Sequence, residues 1–414
     1  MNPAANKKPR VAIACGGTGG HLFPGLAVAE QLRQRGCEIA LLISPKEVDQ
    51  SAVKNVSGLE IFTLPAVGLQ NRNYFSFARS FLKALFTARR IFKQRQPDAV
   101  LAMGGFTSAP PIFVAKELGI KTFLHESNTV PGRANRLLAR FVDQAFTGFP
   151  ETISKLRSKK ALATGTPVRP QFQIRDAAAC RAALGLAANL PTILVVGGSQ
   201  GASGLNELIL SALPLLAGKN WQWLHLTGPN DFEKVQAAYR RHGIQAVVKP
   251  FLAEMELALG AATAGISRAG ASSLAEMAAM RLPCLLVPLP TAADNHQSFN
   301  AAAFAKTGAA RLVEQKKSPP GQVVGSLVEL VESETVRAQI QAALAVWDAP
   351  KAAAEIAENI LHALGEPNLK NSSLQAPACG ETPSSKPQAV SRAGAFGAWF
   401  MVLLGSLGLG VWCL

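Results

Sequence analysis

His21 ends the run Gly16-Gly17-Thr18-Gly19-Gly20-His21, an imidazole presented by a loop with almost no side chains. Such a loop lets the backbone approach an anion, and an imidazole beside it can take a proton from a hydroxyl. A helix cap or a structural histidine accounts for His21 equally well. A second run, Gly197-Gly198-Ser199-Gln200-Gly201, repeats the loop chemistry further along the chain. The segment 267–276 places Arg268, Ala271, Ser272, Ser273, Leu274 and Glu276 around a helix start. Small residues and hydroxyls there leave N–H groups free for phosphate, and Glu276 one turn on can accept both hydroxyls of a ribose. The competing reading is an ordinary capped helix with a solvent-facing Glu276. The polar cluster 294–300, with His296 and Gln297, follows a strand, where open α/β sheets bind ligands; it reads equally as an N-capped loop. His125-Glu126-Ser127-Asn128 ends another strand. Asn128 suits a sugar hydroxyl or amide, whereas His125 reads better as a tie between strand ends.

These residues need strands and helices to hold them. Each glycine run follows a short apolar stretch (11–14 and 192–196) and precedes a helical pattern, the unit that cradles phosphate in doubly wound α/β domains. Further strands are expected at 39–43, 61–64, 99–102, 122–124 and 144–147, then at 221–226, 246–248, 264–267 and 284–287. Helices are expected at 26–35, 109–118 and 352–364. The segment 164–170, with two prolines, reads as the connection between two domains. The first run is not a dinucleotide fingerprint, because Leu22 stands where Gly or Ala is needed. The second strand ends Leu42-Ile43-Ser44-Pro45 without an acid for a ribose. A GxxxxGK[ST] phosphate loop is also absent from the sequence.

The 414 residues suffice for two domains and a tail, and 48% hydrophobic with 7% aromatic content suits helix-covered parallel sheets. A formal charge of +15 implies anionic partners. Nucleic acid, anionic lipid and phosphorylated small molecules all fit that charge; with no nucleic-acid-binding signature, the glycine loops favour a nucleotide and an anionic membrane surface over nucleic acid. Six scattered cysteines without a CxxC pair imply neither disulfide nor metal cluster. The segment 74–96 repeats Phe and Leu at helical spacing among Arg and Lys, a basic amphipathic helix for a membrane interface whose apolar face is shared with the core. Residues 365–392 turn to Pro, Ser, Asn and Gln and read as a disordered linker. The stretch 393–414 carries no charge. As a helix at ~1.5 Å per residue it spans roughly 33 Å, a single transmembrane pass.

The motifs GGTGGHLFPGLAVAE (16–30), PDAVLAMGGFTSAP (97–110), HESNTVPGRANRLLARF (125–141), GTPVR (165–169), VVGGSQGASGLN (195–206) and SRAGASSLAEM (267–277) together resemble the MurG family of glycosyltransferases over residues 10 to 364. Three departures from the family pattern stand out: Ser127 before the asparagine, Gly104-Gly105-Phe106-Thr107-Ser108-Ala109-Pro110, and His296-Gln297 in place of paired glutamines. The resemblance implies a GT-B fold. Its parts are an acceptor- and membrane-facing Rossmann-like domain (1–166), a UDP-GlcNAc-binding one (167–346) and a helix crossing back (347–364). Outside the resemblance, the linker (365–392) and the expected transmembrane helix (393–414) follow.

The implied reaction is an inverting transfer of GlcNAc from UDP-GlcNAc to the 4-hydroxyl of the muramoyl-pentapeptide of lipid I, giving lipid II in peptidoglycan synthesis. The implied donor site takes the diphosphate on the Gly loops (Thr18, Gly19, Gly20), Ser199, Gln200 and the helix start Ala271, Ser272, Ser273 and Leu274. Ribose falls to Glu276, uracil to the backbone around Leu252, and the GlcNAc hydroxyls to Gln297 and Asn128. Arg169 and Arg268 neutralise phosphate charge. His21 is the expected base, with Glu126 second. No metal or other cofactor is expected, because no DxD-like pair adjoins a Gly loop. The expected place is the cytoplasmic face of the bacterial inner membrane, with cell-wall synthesis proteins as possible partners. A UDP-GlcNAc 2-epimerase and a membrane-tethered binding scaffold are the competing functions. The basic helix argues against the first, and the intact set His21, Ser199, Glu276 and Gln297 against the second.

Overall fold

The computed structural model describes residues 8–54, 56–66, 74–198 and 201–365. Ser199, Gln200, the expected linker from 366 onward and the expected membrane-spanning stretch 393–414 lie outside the described residues. Among the described residues, no helix is long and apolar enough to cross a membrane.

Two parallel sheets carry the chain. The first contains β1 (Arg10–Ala14), β2 (Glu38–Ile43), β3 (Glu60–Thr63), β4 (Ala99–Ala102), β5 (Lys121–Glu126), β6 (Gln144–Thr147) and β7 (Ala161–Ala163), in the order β3-β2-β1-β4-β5-β6-β7. The second contains β8 (Thr192–Val196), β9 (Gln222–Leu226), β10 (Ala246–Lys249), β11 (Ala264–Ser267), β12 (Cys284–Leu286) and β13 (Arg311–Leu312), in the order β10-β9-β8-β11-β12-β13. The winding reverses between β1 and β4 and again between β8 and β11. Open α/β sheets leave a ligand crevice at such points, beyond the carboxyl ends of the strands. The first glycine run follows β1 and the second follows β8. The sequence expectation did not include β7 and β13, whose three and two residues are too short to show a pattern.

The central strands β1, β4 and β8 are near-continuous buried apolar runs because helices cover both faces. In β1, Ala12 and Ala14 face one core with Leu85, Ala88 and Phe92 of the helix Tyr74–Arg95. Val11 and Ile13 face the other, with Leu22, Val28 and Leu32 of the helix Gly19–Gln34. That second core also takes Ile356, Ala357 and Ile360 of the last helix, Ala352–Ala363, so the chain returns to the first sheet after building the second. The crossing is fastened by Trp347, which stacks on Phe304 at 4.4 Å and meets Phe149 at 5.3 Å between ring centroids. Residues 164–169 have neither helix nor strand.

The helix Gly19–Gln34 starts earlier than expected and carries Pro24 inside it. Proline has no N–H to give to the carbonyl four residues back, so the carbonyl of Gly20 is left without its helical partner. The helix Tyr74–Arg95 divides its apolar residues between two faces. Phe81, Leu85 and Phe92 are buried, whereas Phe75 (81% exposed), Leu82 and Phe86 (71%) point outward. Arg79, Lys83, Arg90 and Lys93 are exposed on the same helix.

Candidate active site

The first glycine loop is held by close approach and by one buried carboxylate. A Cβ on Gly16 would overlap the Ser44 amide nitrogen at the end of β2. Asp49, fully buried on the helix Glu47–Val53, accepts the Gly17 N–H at 2.6 Å and the Ser44 hydroxyl at 2.5 Å through Oδ2. Its Oδ1 has no hydrogen-bond partner. Lys46 Nζ donates to the Gly17 carbonyl at 2.9 Å, and the Thr107 hydroxyl donates to that of Gly16 at 2.8 Å. Thr18 and Gly20 remain exposed beyond these ties, with Gly19 half-buried between them.

His21 lies in the first turn of the helix, with Nδ1 3.1 Å from the Thr18 hydroxyl. Its ring rests on the loop after β4. A Cβ on Gly104 would come within 3.0 Å of Nε2, and one on Gly105 within 3.0 Å of Nδ1. Both glycines also have positive φ, +107° and +77°, so the site requires them twice over. Burial is the main cause lowering the imidazole pKa from 6.5 to about 4. Asp49 pulls it back up, and His296 and Lys46 push it further down. His21 is therefore neutral near pH 7 and carries a lone pair able to take a proton.

His125 and Glu126 do structural work at the end of β5. His125 Nε2 donates to the Gly165 carbonyl at 3.0 Å, and burial lowers its pKa to about 4. The Glu126 carboxylate accepts the backbone N–H of Asn128 (2.9 Å) and of Gly132 (3.0 Å). It also accepts the side-chain amides of Asn128 (3.0 Å) and Asn135 (2.8 Å). Four donors occupy it in shaping the 127–135 segment, which leaves little capacity for the base role expected second.

Across the crevice, the helix Ala271–Ala279 begins at Gly270 with no side-chain cap, so its first N–H groups stay available to an anion. Ala271 and Leu274 belong to the core, whereas Ser272 and Ser273 are half-buried. The Ser272 hydroxyl donates to the Gly20 carbonyl at 2.8 Å, the very acceptor that Pro24 leaves vacant. Gln297 Oε1 accepts the N–H groups of Ala269 (3.3 Å) and Leu289 (2.9 Å), tying together the loops after β11 and β12. Leu252 is buried in the loop after β10.

Arg268, Arg169 and Glu276 are each engaged by other groups of the protein. Arg268 donates to the carbonyls of Val287 (2.9 Å) and Pro288 (3.2 Å) and to Gln315 Oε1 (2.7 Å). Burial lowers its pKa to about 10, and its Nε has no partner. These bonds fasten loops of the second unit to one another. Arg169 lies over Phe23 (4.1 Å) and Phe172 (4.9 Å) and pairs with Glu276 at 3.6 Å. Glu276 is thus a partnered carboxylate, not a solvent-facing one. Burial raises its pKa to about 7 against the opposing pull of Arg169, with Glu256 adding to the rise.

Two residues of the 294–300 cluster join the two units, through partners that the sequence reading did not assign. Asn300 Oδ1 accepts both the N–H and the hydroxyl of Thr129 at 3.0 Å, and its Nδ2 donates to Asn128 Oδ1 (3.0 Å) and the Ala269 carbonyl (3.2 Å). Asp294 pairs with Arg133 (3.2 Å) and Arg136 (3.0 Å). Asp49 was missed because an acid was sought at the end of β2, whereas it stands five residues after Ser44 on the next helix.

The pattern of the glycosyltransferase family 28 N-terminal domain matches residues 11–147, and that of its C-terminal domain residues 192–360. Two parallel-sheet units wound in this way make the GT-B architecture. A relative from Natranaerobius thermophilus is 33% identical over 84% of this chain and 98% of its own length, and one from Pseudomonas fluorescens is 36% identical over 85% and 99%. Both are named UDP-N-acetylglucosamine–N-acetylmuramyl-(pentapeptide) pyrophosphoryl-undecaprenol N-acetylglucosamine transferase. The crystal structure of MurG from Acinetobacter baumannii matches with a TM-score of 0.68 at 30% identity, covering 86% of this chain and 100% of that one. A UDP-N-acetylglucosamine 2-epimerase, 14% identical with a TM-score of 0.67 over 89% of this chain and 100% of its own, shares the fold alone. The chain belongs to glycosyltransferase family 28 and, within it, to the MurG family.

Asn300 gives a direct test of the bridge between the units. Asn300→Ala leaves the buried Thr129 N–H and Ala269 carbonyl without partners, a cost of about 1–3 kcal/mol for an unsatisfied group. Urea unfolding should show that loss. A midpoint equal to that of the parent would refute the bridge.

Proposed function

We propose that this chain transfers GlcNAc from UDP-GlcNAc to the 4-hydroxyl of the muramoyl-pentapeptide of undecaprenyl-pyrophosphate-linked lipid I, forming lipid II by a single inverting displacement. The observation that carries the reading is the meeting of two ends: His21, neutral on its glycine loop, and the uncapped start of the Ala271–Ala279 helix, joined through Ser272 and Gly20. The names of the relatives supply the substrates.

In this mechanism the acceptor oxygen attacks the anomeric carbon as the bond from that carbon to the diphosphate breaks. His21 takes the hydroxyl proton, and UDP departs with the bonding pair. The helix N-terminus with Ser272 and Ser273, together with the loops carrying Thr18, Gly19 and Gly20 and Ser199 and Gln200, stabilises the charge growing on the leaving diphosphate. Glu276 accepts the ribose hydroxyls with Arg169 alongside. The backbone near Leu252 receives uracil, and Asn128 and Gln297 shape the sugar pocket. No metal or other cofactor is assigned a role. The unit 1–166 receives the acceptor, the unit 167–346 the donor, and 347–364 ties the second back to the first.

The membrane side follows from the outward Phe75, Leu82 and Phe86 among Arg79, Lys83, Arg90 and Lys93. Such a face lies on an anionic bilayer. The 365–392 linker and the uncharged 393–414 stretch add a single C-terminal anchor. Lys386 and Arg392 flank its start and keep the enzyme on the cytoplasmic face of the inner membrane.

His21→Ala should retain UDP binding by calorimetry while turnover on a lipid I analogue falls by roughly 10²-fold or more, the scale of a lost general base. A variant that turns over normally would remove His21 from the chemistry.

The raised pKa of Glu276, about 7, fixes the sign of a pH effect. Below 7 the carboxyl is protonated and a poor acceptor, so UDP-GlcNAc affinity should rise as pH climbs through 7. Glu276→Gln should flatten that rise and weaken binding at alkaline pH by about tenfold, as expected for one charge-assisted hydrogen bond. A pH-independent parent would contradict the ribose assignment.

Deletion of residues 366–414 should release much of the protein from membranes, leave turnover on a soluble analogue intact, and leave a residual attachment that high salt weakens. Full-length protein that is extracted completely by carbonate would exclude the anchor.

A further inference from the structure

The second sheet has a cavity of about 540 Å³ at the end opposite its glycine loop, against the residues that lead into β11 and β12. Four arginines line it: Arg175, Arg181, Arg281 and Arg337. No carboxylate is among the lining residues. Arg281 is balanced by Asp348 at 2.9 Å. The other three bond to neutral acceptors. Arg181 gives Nε to the Ala261 carbonyl (2.9 Å), Nη1 to that of Ala188 (2.9 Å) and Nη2 to the Thr263 hydroxyl (3.0 Å). Arg337 reaches the carbonyls of Leu330 and Val331, and Arg175 that of Gln171 at 3.1 Å. The nearby Asp176 carboxylate caps the Ala179 N–H at 2.7 Å.

The carboxylate acting on Arg181 is that of Asp176, and bonds to carbonyls satisfy the donors of these guanidinium groups without cancelling their charge. A multiply charged oxyanion cancels it, and the planar fork of arginine matches phosphate oxygens two at a time. The volume lies within the range of small-molecule pockets, and Leu259, Met280 and Leu282 give it an apolar wall beside the charges. We propose that this cavity is a second ligand site, separate from the donor crevice, for a small molecule bearing a diphosphate. Its position gives occupancy a route to the donor side. Met280 and Arg281 directly follow the helix Ala271–Ala279, whose other end meets Gly20.

The test is calorimetric titration of the full chain with inorganic pyrophosphate at constant ionic strength, with and without saturating UDP. One binding event should persist when UDP fills the donor crevice. It should weaken by about tenfold or more in Arg175→Gln and in the Arg175→Gln/Arg337→Gln pair, as expected for lost charge-assisted contacts. It should be unchanged in Glu276→Gln, which separates this site from the donor reading. Arg175 is exposed, so its single variant should keep the parental melting temperature. An event abolished by UDP, no event at all, or one that both arginine variants leave unaltered would overturn the proposal. Orthophosphate binding as tightly as pyrophosphate would reject the diphosphate class.

Discussion

Parallel strands joined by covering helices must wind one way, then the other, and the place where they change direction cannot be roofed by a crossover. That constraint positions the candidate site here. In the first sheet the opening lies between β1 and β4, and it brings the loop carrying His21 against Gly104 and Gly105. In the second it lies between β8 and β11, and it leaves the start of the Ala271–Ala279 helix uncovered. Neither opening is a site alone. The Trp347 crossing, the Asn300 bridge and the Asp294 pairs turn the two toward each other.

Burial then sets the charge state of what the crevice contains. An imidazole loses its proton when desolvated and a carboxyl keeps one longer, so His21 and Glu276 move in opposite directions from their ordinary values. The same medium makes an unbonded charge costly, which explains why Arg268 is wrapped in carbonyls and why Arg169 lies between two aromatic rings beside Glu276. Asp49 shows the converse. One of its oxygens holds a loop in place while the other has no hydrogen-bond partner, and its charge restores some of the imidazole's proton affinity.

Features written as local chemistry were readable in advance. Apolar runs of four to six residues mark β1, β2, β4, β8 and β11, and the glycine runs mark the loops after β1 and β8. The basic helix was legible because its periodicity survives in both its buried and exposed faces. Legibility ended where a side chain's partner comes from another element. Arg268 and Glu276 lie eight residues apart in one motif, yet one turns into the protein and the other meets Arg169 from a distant segment. Asn300 was visible as a polar residue after a strand, but its four bonds depend on how the halves dock. Helix initiation was misplaced for a simpler reason: Pro24 resembles a boundary, and here the helix runs through it.

That proline has a consequence for how the halves communicate. The atom that receives Ser272 is a main-chain oxygen, so changing the side chain at position 20 does not delete it. What governs its availability is the residue one turn later. An amide hydrogen at position 24 would recruit the Gly20 oxygen into the helix and compete with the opposite half for it, without touching either surface. One of the grips between the halves is therefore encoded as a defect in helix bonding, and its tuning lies with an imino acid buried inside the helix.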